Sequence, residues 1–296
     1  MKIFARIFYA LLLGSSIFYG CEITAPETVD PSLVDADRVV DEFASLQTET
    51  QDILNIVADV LIRKRDLIAS PPDTPNESKF DDCNADITIE KTSDGSTKTT
   101  IKFSDPSCNA DVTQKVRQGT IVVTQSSTLG YLDTGHEMKV SFEGFQLNSS
   151  TITGDITVKN VSKSPFTETD TLQQQLNYAE IKLQNNGTTY ELETGYQERS
   201  LINGLLTRSI GDDLYIAAVT EYTLVGSDKN TYTLKNSTEE NSNLIFNNTC
   251  WQNQVFFPTQ GKVQIVLSNS ASKNFTANVD FGNGSCDPFK TITLQE

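Results

Sequence analysis

Residues 179–193 read AEIKLQNNGTTYELE. Ile181 and Leu183 alternate with polar neighbours, Asn186-Gly187 interrupts, and the alternation resumes through Tyr190 and Leu192. A period of two sends successive side chains to opposite faces of a strand, and Asn-Gly supplies the two positive φ angles of a tight primed turn. The stretch therefore predicts a β-hairpin.

The same period recurs on both sides of it. TTIKF (99–103), GTIVVTQ (119–125), MKVSFEGF (138–145) and GDITVKN (154–160) precede it, and TEYTLV (220–225), TYTLK (231–235), GKVQIVL (261–267), FTANVDF (275–281) and KTITL (290–294) follow. All are rich in Thr, Val, Ile, Tyr and Phe, the residues that suit a pleated, half-buried surface. KTSDGSTKTT (91–100) and LVGSDKNTY (224–232) read as two further hairpin turns. Many short strands joined by short turns, with one polar face, predict a mainly β domain over 81–296, an antiparallel meander or a sandwich-like arrangement.

Upstream the period changes. Asp30-Pro31 is a helix start, an N-cap oxygen followed by a proline whose missing N–H costs nothing in the first turn. No Gly or Pro follows until Pro71-Pro72, so one long helix is expected over 31–70, with a linker over 71–80. Val39, Phe43, Leu46, Ile53, Val57, Val60 and Leu67 step by four and three, with Thr50 and Lys64 as polar interruptions, and Leu54 and Leu61 widen the stripe. The stripe is expected to pack on the chain's own sheet; a stalk or a partner-docking helix is the other reading, weakened by the interruptions.

The first twenty residues carry Lys2 and Arg6, an apolar core from Ile7 to Leu13, and small residues before Cys21. That is a secretory signal, too short to span a bilayer. Ile17-Phe18-Tyr19-Gly20-Cys21 resembles a bacterial lipobox, which implies a lipid on Cys21 and a tether over 21–30. Several acyl chains, at about 0.8 kcal/mol per buried CH₂, make a firm anchor. No later segment is apolar enough to cross a membrane.

Of five cysteines, Cys21 goes to lipid and Cys83, Cys108, Cys250 and Cys286 remain, an even number suited to an oxidising compartment. Four cysteines allow three pairings. A repeated phrase favours Cys83–Cys108 and Cys250–Cys286: an alternating run, a Phe, three turn-type residues and Ser-Cys occur at Phe103–Cys108 and again at Phe281–Cys286. The two copies belong at opposite ends of one sheet or on facing sheets. No C-x-x-C spacing is present and His136 is the only histidine, so neither a metal nor a cofactor is expected.

Without residues 1–20, 21 basic groups face 39 acidic ones, a balance of −18. That field repels nucleic acid and anionic lipid surfaces. The run IKFSDPSC, then VRQGTIVV, VSFEGFQLNSSTITGDITVKN, CWQNQVFFPTQGKVQIVL and VDFGNGSCD, is similar to a group of uncharacterised Bacteroidota lipoproteins. The resemblance covers about residues 83–294, departs from the group where Ser104 and Pro106 replace the usual glycines, and implies an architecture and an envelope location but no activity.

Catalytic constellations are thin. His136, beside Gly135 at the start of a strand, reads as a surface or turn histidine. Paired carboxylates of a glycosidase type cannot be singled out among 39 acids. Asp280, Asn283 and Asp287 offer oxygens at short spacing but lack the alternate ligands and distal Glu of an EF-hand, and Asp212-Asp213 is weaker still. Trp251, after Cys250, is expected to pack on a disulfide. Tyr190, Tyr196, Tyr215, Tyr222 and Tyr232 lie in successive strands; strand spacing favours a core or cross-strand role for them, and a shared ligand-binding surface is the second reading. Sequons such as Asn186-Gly187-Thr188 and Asn274-Phe275-Thr276 fit a Thr- and Asn-rich β surface.

The sequence thus predicts a protein exported and lipid-anchored to the bacterial outer membrane, non-catalytic, binding a polysaccharide, a protein or another envelope component. A structural lipoprotein docking through its helix and a glycan hydrolase with two carboxylates are the alternatives.

Overall fold

A computed structural model describes residues 30–69, 85–104, 115–126, 129–163, 171–203, 212–253, 255, 257–267 and 274–295, and within the helix the side chains up to Ile62. The protein is mainly β, with one N-terminal helix and a 13-stranded antiparallel sheet. Helix α1 spans Pro31–Ala69. Asp30 caps it as the sequence predicts: its Oδ1 accepts from Ser32 N–H at 2.8 Å, satisfying a donor that the first turn leaves orphaned.

The strands are β1 (Asp86–Lys91), β2 (Thr97–Phe103), β3 (Arg117–Gln125), β4 (Glu137–Leu147), β5 (Ser150–Asn160), β6 (Leu172–Asn185), β7 (Thr188–Asn203), β8 (Leu214–Val225), β9 (Thr231–Asn236), β10 (Leu244–Asn247), β11 (Gln260–Leu267), β12 (Phe275–Asn283) and β13 (Thr291–Gln295). From β1 to β9 and from β10 to β13 each strand pairs with its neighbours in sequence, so the meander is the arrangement formed. One lane is shared: β9 lies between one end of β8 and β11, and β10 between the other end of β8 and β11. The hairpin read from residues 179–193 joins β6 to β7, with Asn186 at φ 48° and Gly187 at φ 82°. β2 and β12, which carry the repeated phrase, are the second strands from opposite ends of this one sheet.

The sheet curls around the helix. Every residue from Thr50 to Leu61 is buried, including the polar Thr50, Gln51, Asp52, Asn55 and Asp59. A helix laid on a flat sheet would leave its polar face wet, so burial around the whole circumference requires a wall that bends. Bulges provide the bend. At Gly119 the β3–β4 register shifts, and at Gly154 the β5–β6 register shifts. Both glycines have positive φ, 87° and 106°, and a Cβ on either would lie within 2.1 to 2.3 Å of a carbonyl oxygen of the facing strand. Only glycine lets the backbones approach this closely while the strand turns inward.

The core runs along the helix. Val39, Val40, Phe43, Leu46, Ile53, Leu54, Ile56 and Val57 meet Ile121, Val140, Ile156, Leu183, Leu224 and Val263 from the sheet. Each such side chain contributes about 1.5 to 3 kcal/mol on burial. The N-terminal half of the helix is also pinned by charge: Arg38 bridges Glu42 at 3.0 Å and Asp228 of the β8–β9 turn at 2.7 Å. The stripe from Val39 to Leu61 is thus covered by the chain's own sheet, as the first reading of the helix expects. No described helix is long and apolar enough to cross a membrane.

Candidate functional site

Among the described residues, polar chemistry stands out in two places, one sealed and one open. The sealed one lies where α1 meets the inner faces of β3, β6, β7 and β8. Asp52, Asn55 and Asp59 stand at i, i+3 and i+7, one line along the helix. Arg117, only 1% exposed, forks onto Asp52, Nη2 to Oδ1 at 2.9 Å and Nε to Oδ2 at 3.2 Å. Lys115 adds its ammonium, 3.3 Å from Glu49 and 3.9 Å from Asp52. Burial pushes the Asp52 carboxyl up, but the attraction of Arg117 and Lys115 outweighs it and holds the group below the ordinary value of 3.8. Glu49 goes the other way, raised above 4.5 because burial exceeds what Lys115 returns.

One turn further along the helix, Arg199 donates from Nη2 to Asn55 Oδ1 at 2.7 Å and from Nη1 to Gln174 Oε1 at 3.1 Å, with its guanidinium 4.5 Å from the Tyr215 ring centroid. Gln174 in turn donates to the Tyr131 hydroxyl at 3.0 Å. The Tyr215 hydroxyl accepts from Asn55 and Asn248 and donates to Asp213. Tyr178 and Tyr222 both donate to Gln197 Oε1. Burial pushes the Tyr178 hydroxyl up to about 12 and those of Tyr215 and Tyr222 well above 10, so all three stay protonated and act as donors. The cavity beside Asn55, Tyr131, Arg199 and Asp213 measures about 20 Å³, room for one water and no substrate. This centre registers the helix against the sheet.

The open place is a surface cleft of about 430 Å³ formed by the end of β12, the following turn and the start of β13. Asp280, Asn283, Ser285, Asp287, Phe289 and Lys290 line it. The turn is clamped by the Cys250–Cys286 disulfide, Cα to Cα 5.0 Å, which ties the 3₁₀ helix Asn248–Asn253 to the residues after β12 and so closes the mouth of the β11–β12 hairpin. Local bonds fix it further: Gly282 N–H donates to Asp280 Oδ1 at 2.8 Å, Gly284 N–H to Thr259 O at 2.8 Å, and Phe289 N–H to Asp287 Oδ1 at 3.0 Å. Phe289 is 78% exposed. Lys290 points back to the helix, 3.1 Å from Asp37 and also paired with Asp41, with its ammonium 5.6 Å from the Phe257 ring centroid. Asp280, Asn283 and Asp287 therefore line a ligand-sized cleft; among the described residues no group of three or more His, Cys, Asp or Glu side chains converges as a metal site would need.

Searches against protein-family models, curated proteins and solved structures found no match.

Of the sequence-predicted site residues, the Cys250–Cys286 bond is formed, whereas Cys21, Cys83, Cys108 and the Trp251 side chain lie outside the described residues. Of the two readings of the tyrosines, the core one describes most of them, and a common outward-facing surface is not formed. Tyr215, Tyr222 and Tyr232 are 0% exposed and face the helix, and Tyr190 is half-buried with its hydroxyl on Ser45 Oγ at 3.0 Å. Tyr196 stands apart, bonded to Glu198. Tyr190, Tyr215, Tyr222 and Tyr232 thus belong to the inner lining, because alternate residues of curled strands point at the core. His136 is also corrected: it sits at the turn as expected but is 1% exposed, beside Tyr131 and 2.8 Å from Gln125 Nε2. Burial lowers its pKa below 6.5, which keeps the ring neutral.

Sequence reasoning missed Arg117, Arg199, Asp52 and Phe289. A signal existed for the first three, since Arg117 shares the inward parity of Ile121 and Val123, and Arg199 that of Gln197 and Leu201. Charges at core parity on strands, matched by a polar line on a helix, announce buried pairing.

Proposed function

We propose that the chain is a lipid-anchored protein of the bacterial envelope that binds a ligand without transforming it, through the cleft at the β12–β13 turn. The observation that carries the binding reading is Phe289, a large apolar side chain held 78% exposed on a disulfide-clamped turn beside a cleft of about 430 Å³. The polar centre, by contrast, has no room for a substrate. Support for the location comes from the sequence: the signal, the lipobox-like residues before Cys21, the resemblance to Bacteroidota lipoproteins, and a disulfide that suits an oxidising compartment.

The hydrolase reading keeps one specific support, the presence of Asp280 and Asp287 on the same cleft. Both already serve as acceptors for backbone N–H groups, and Asp280 also lies 3.4 Å from Lys262. They frame a ligand more readily than they exchange a proton with it. Palmitate labelling of the wild type and Cys21→Ser tests the anchor: label on the wild type alone is expected, and equal labelling of both refutes it. Incubating the protein with envelope glycans and looking for released products tests catalysis; unchanged glycan is expected.

A further inference from the structure

We propose that the cleft beside Phe289 is a saccharide site, taking a neutral, hydroxyl-rich sugar with one face of its ring on the Phe289 side chain. This rests on the reading of the cleft as a binding site and names what it takes. A single exposed aromatic residue is ordinary and by itself carries nothing. Here the aromatic residue lines a cleft together with four short polar side chains, Asp280, Asn283, Ser285 and Asp287. Vicinal hydroxyls both donate and accept, and this set offers carboxylate acceptors, an amide and a hydroxyl on one rim. The apolar C–H face of a pyranose matches an aromatic ring. The volume, about 430 Å³, is that of a small-ligand pocket.

The rim is fixed before any ligand arrives. The Cys250–Cys286 bond, the Asp280 and Asp287 bonds to backbone N–H groups, and the 3.0 Å bond from Ser285 Oγ to Asn283 Oδ1 hold the turn. Preorganisation removes the ordering cost that otherwise weakens a shallow polar site. Charge selects the class. Asp280 and Asp287 face the cleft while the Lys290 ammonium is taken by Asp37 and Asp41 of the helix, so acidic or phosphorylated sugars meet repulsion. A cationic ligand gains less, because Lys262 lies 3.4 Å from Asp280 and the cleft lining holds one exposed ring rather than a cage.

The test uses the mature chain with Cys21→Ser, so that it is unlipidated, titrated calorimetrically with neutral gluco-, manno- and galacto-oligosaccharides, their sulfated or uronic counterparts, and a lysine-rich peptide. Neutral sugars are expected to bind and the acidic ones not. Phe289→Ala should weaken binding about tenfold or more, the loss of one central aromatic contact, with an unchanged melting temperature, and Phe289→Trp should retain it. Neutral-sugar binding that is indifferent to Phe289→Ala overturns the site. Tighter binding of the peptide, or of acidic sugars, overturns the ligand class while leaving a binding cleft in place. Failure of every probe to bind overturns the saccharide proposal, and the wider binding reading fails separately if Phe289→Ala also leaves every other captured ligand unaffected.

Discussion

At the scale of single residues, the account turns on charges placed where a strand pattern calls for apolar groups. Arg117 and Asp52 are 1% and 0% exposed and joined by a fork of hydrogen bonds. Removing one partner of a buried pair strands the other, at a cost of about 3 to 5 kcal/mol, whereas replacing both with apolar groups of similar volume is close to neutral. Chemical denaturation of Arg117→Met should show that loss, and the double variant Asp52→Leu, Arg117→Met should recover most of it; a double variant no more stable than the single would disprove the pairing. The same pair sets an acid limit. The Asp52 value is lowered in the folded state, so the unfolded chain takes up a proton near 3.8 before the folded one does. The stabilisation is present above that value and is lost as pH falls below it. Thermal melts of Asp52→Asn should therefore be flatter than wild type below about pH 3.8.

Elements were largely legible from sequence, and the reasons differ. The helix ends were readable because Asp30-Pro31 and Pro71-Pro72 act locally, and the hairpin at Asn186-Gly187 because its turn needs nothing from the rest of the chain. β10, only Leu244–Asn247, escaped because four residues carry no usable period. The far ends of β6 and β7 escaped because Gln174 and Arg199 belong to the buried polar centre and break the apolar alternation. Curl was illegible as well. It depends on glycines at bulges, whose need for positive φ shows only once the facing strand is in place. Gly154→Ala should cost at least about 2 kcal/mol, from a strained φ together with a Cβ 2.3 Å from Glu180 O, measured by denaturant unfolding. A change within experimental error would mean that the bulge does not shape the wall.

For the whole molecule, the helix, the sheet and the cleft form one connected object. Lys290 ties the cleft turn to Asp37 and Asp41 near the start of α1, and the disulfide ties the same turn to the connection between β10 and β11. That bond closes a segment of 36 residues, worth roughly 3 to 4 kcal/mol by the chain-entropy account. Cys250→Ser, Cys286→Ser should lower the melting temperature accordingly and slacken the cleft, visible as faster exchange of the Gly282 and Gly284 amides. If Cys21 carries lipid, about ten residues separate the anchor from a helix that is the core of the domain rather than a stalk in front of it.

That central placement is open to one direct measurement, residue-resolved native-state hydrogen exchange on residues 22–296. Amides from Thr50 to Leu61 should exchange among the slowest in the protein, together with β5 to β8 and only through global unfolding. Exchange of that helical segment orders of magnitude faster than the sheet, with the sheet still intact, would contradict it.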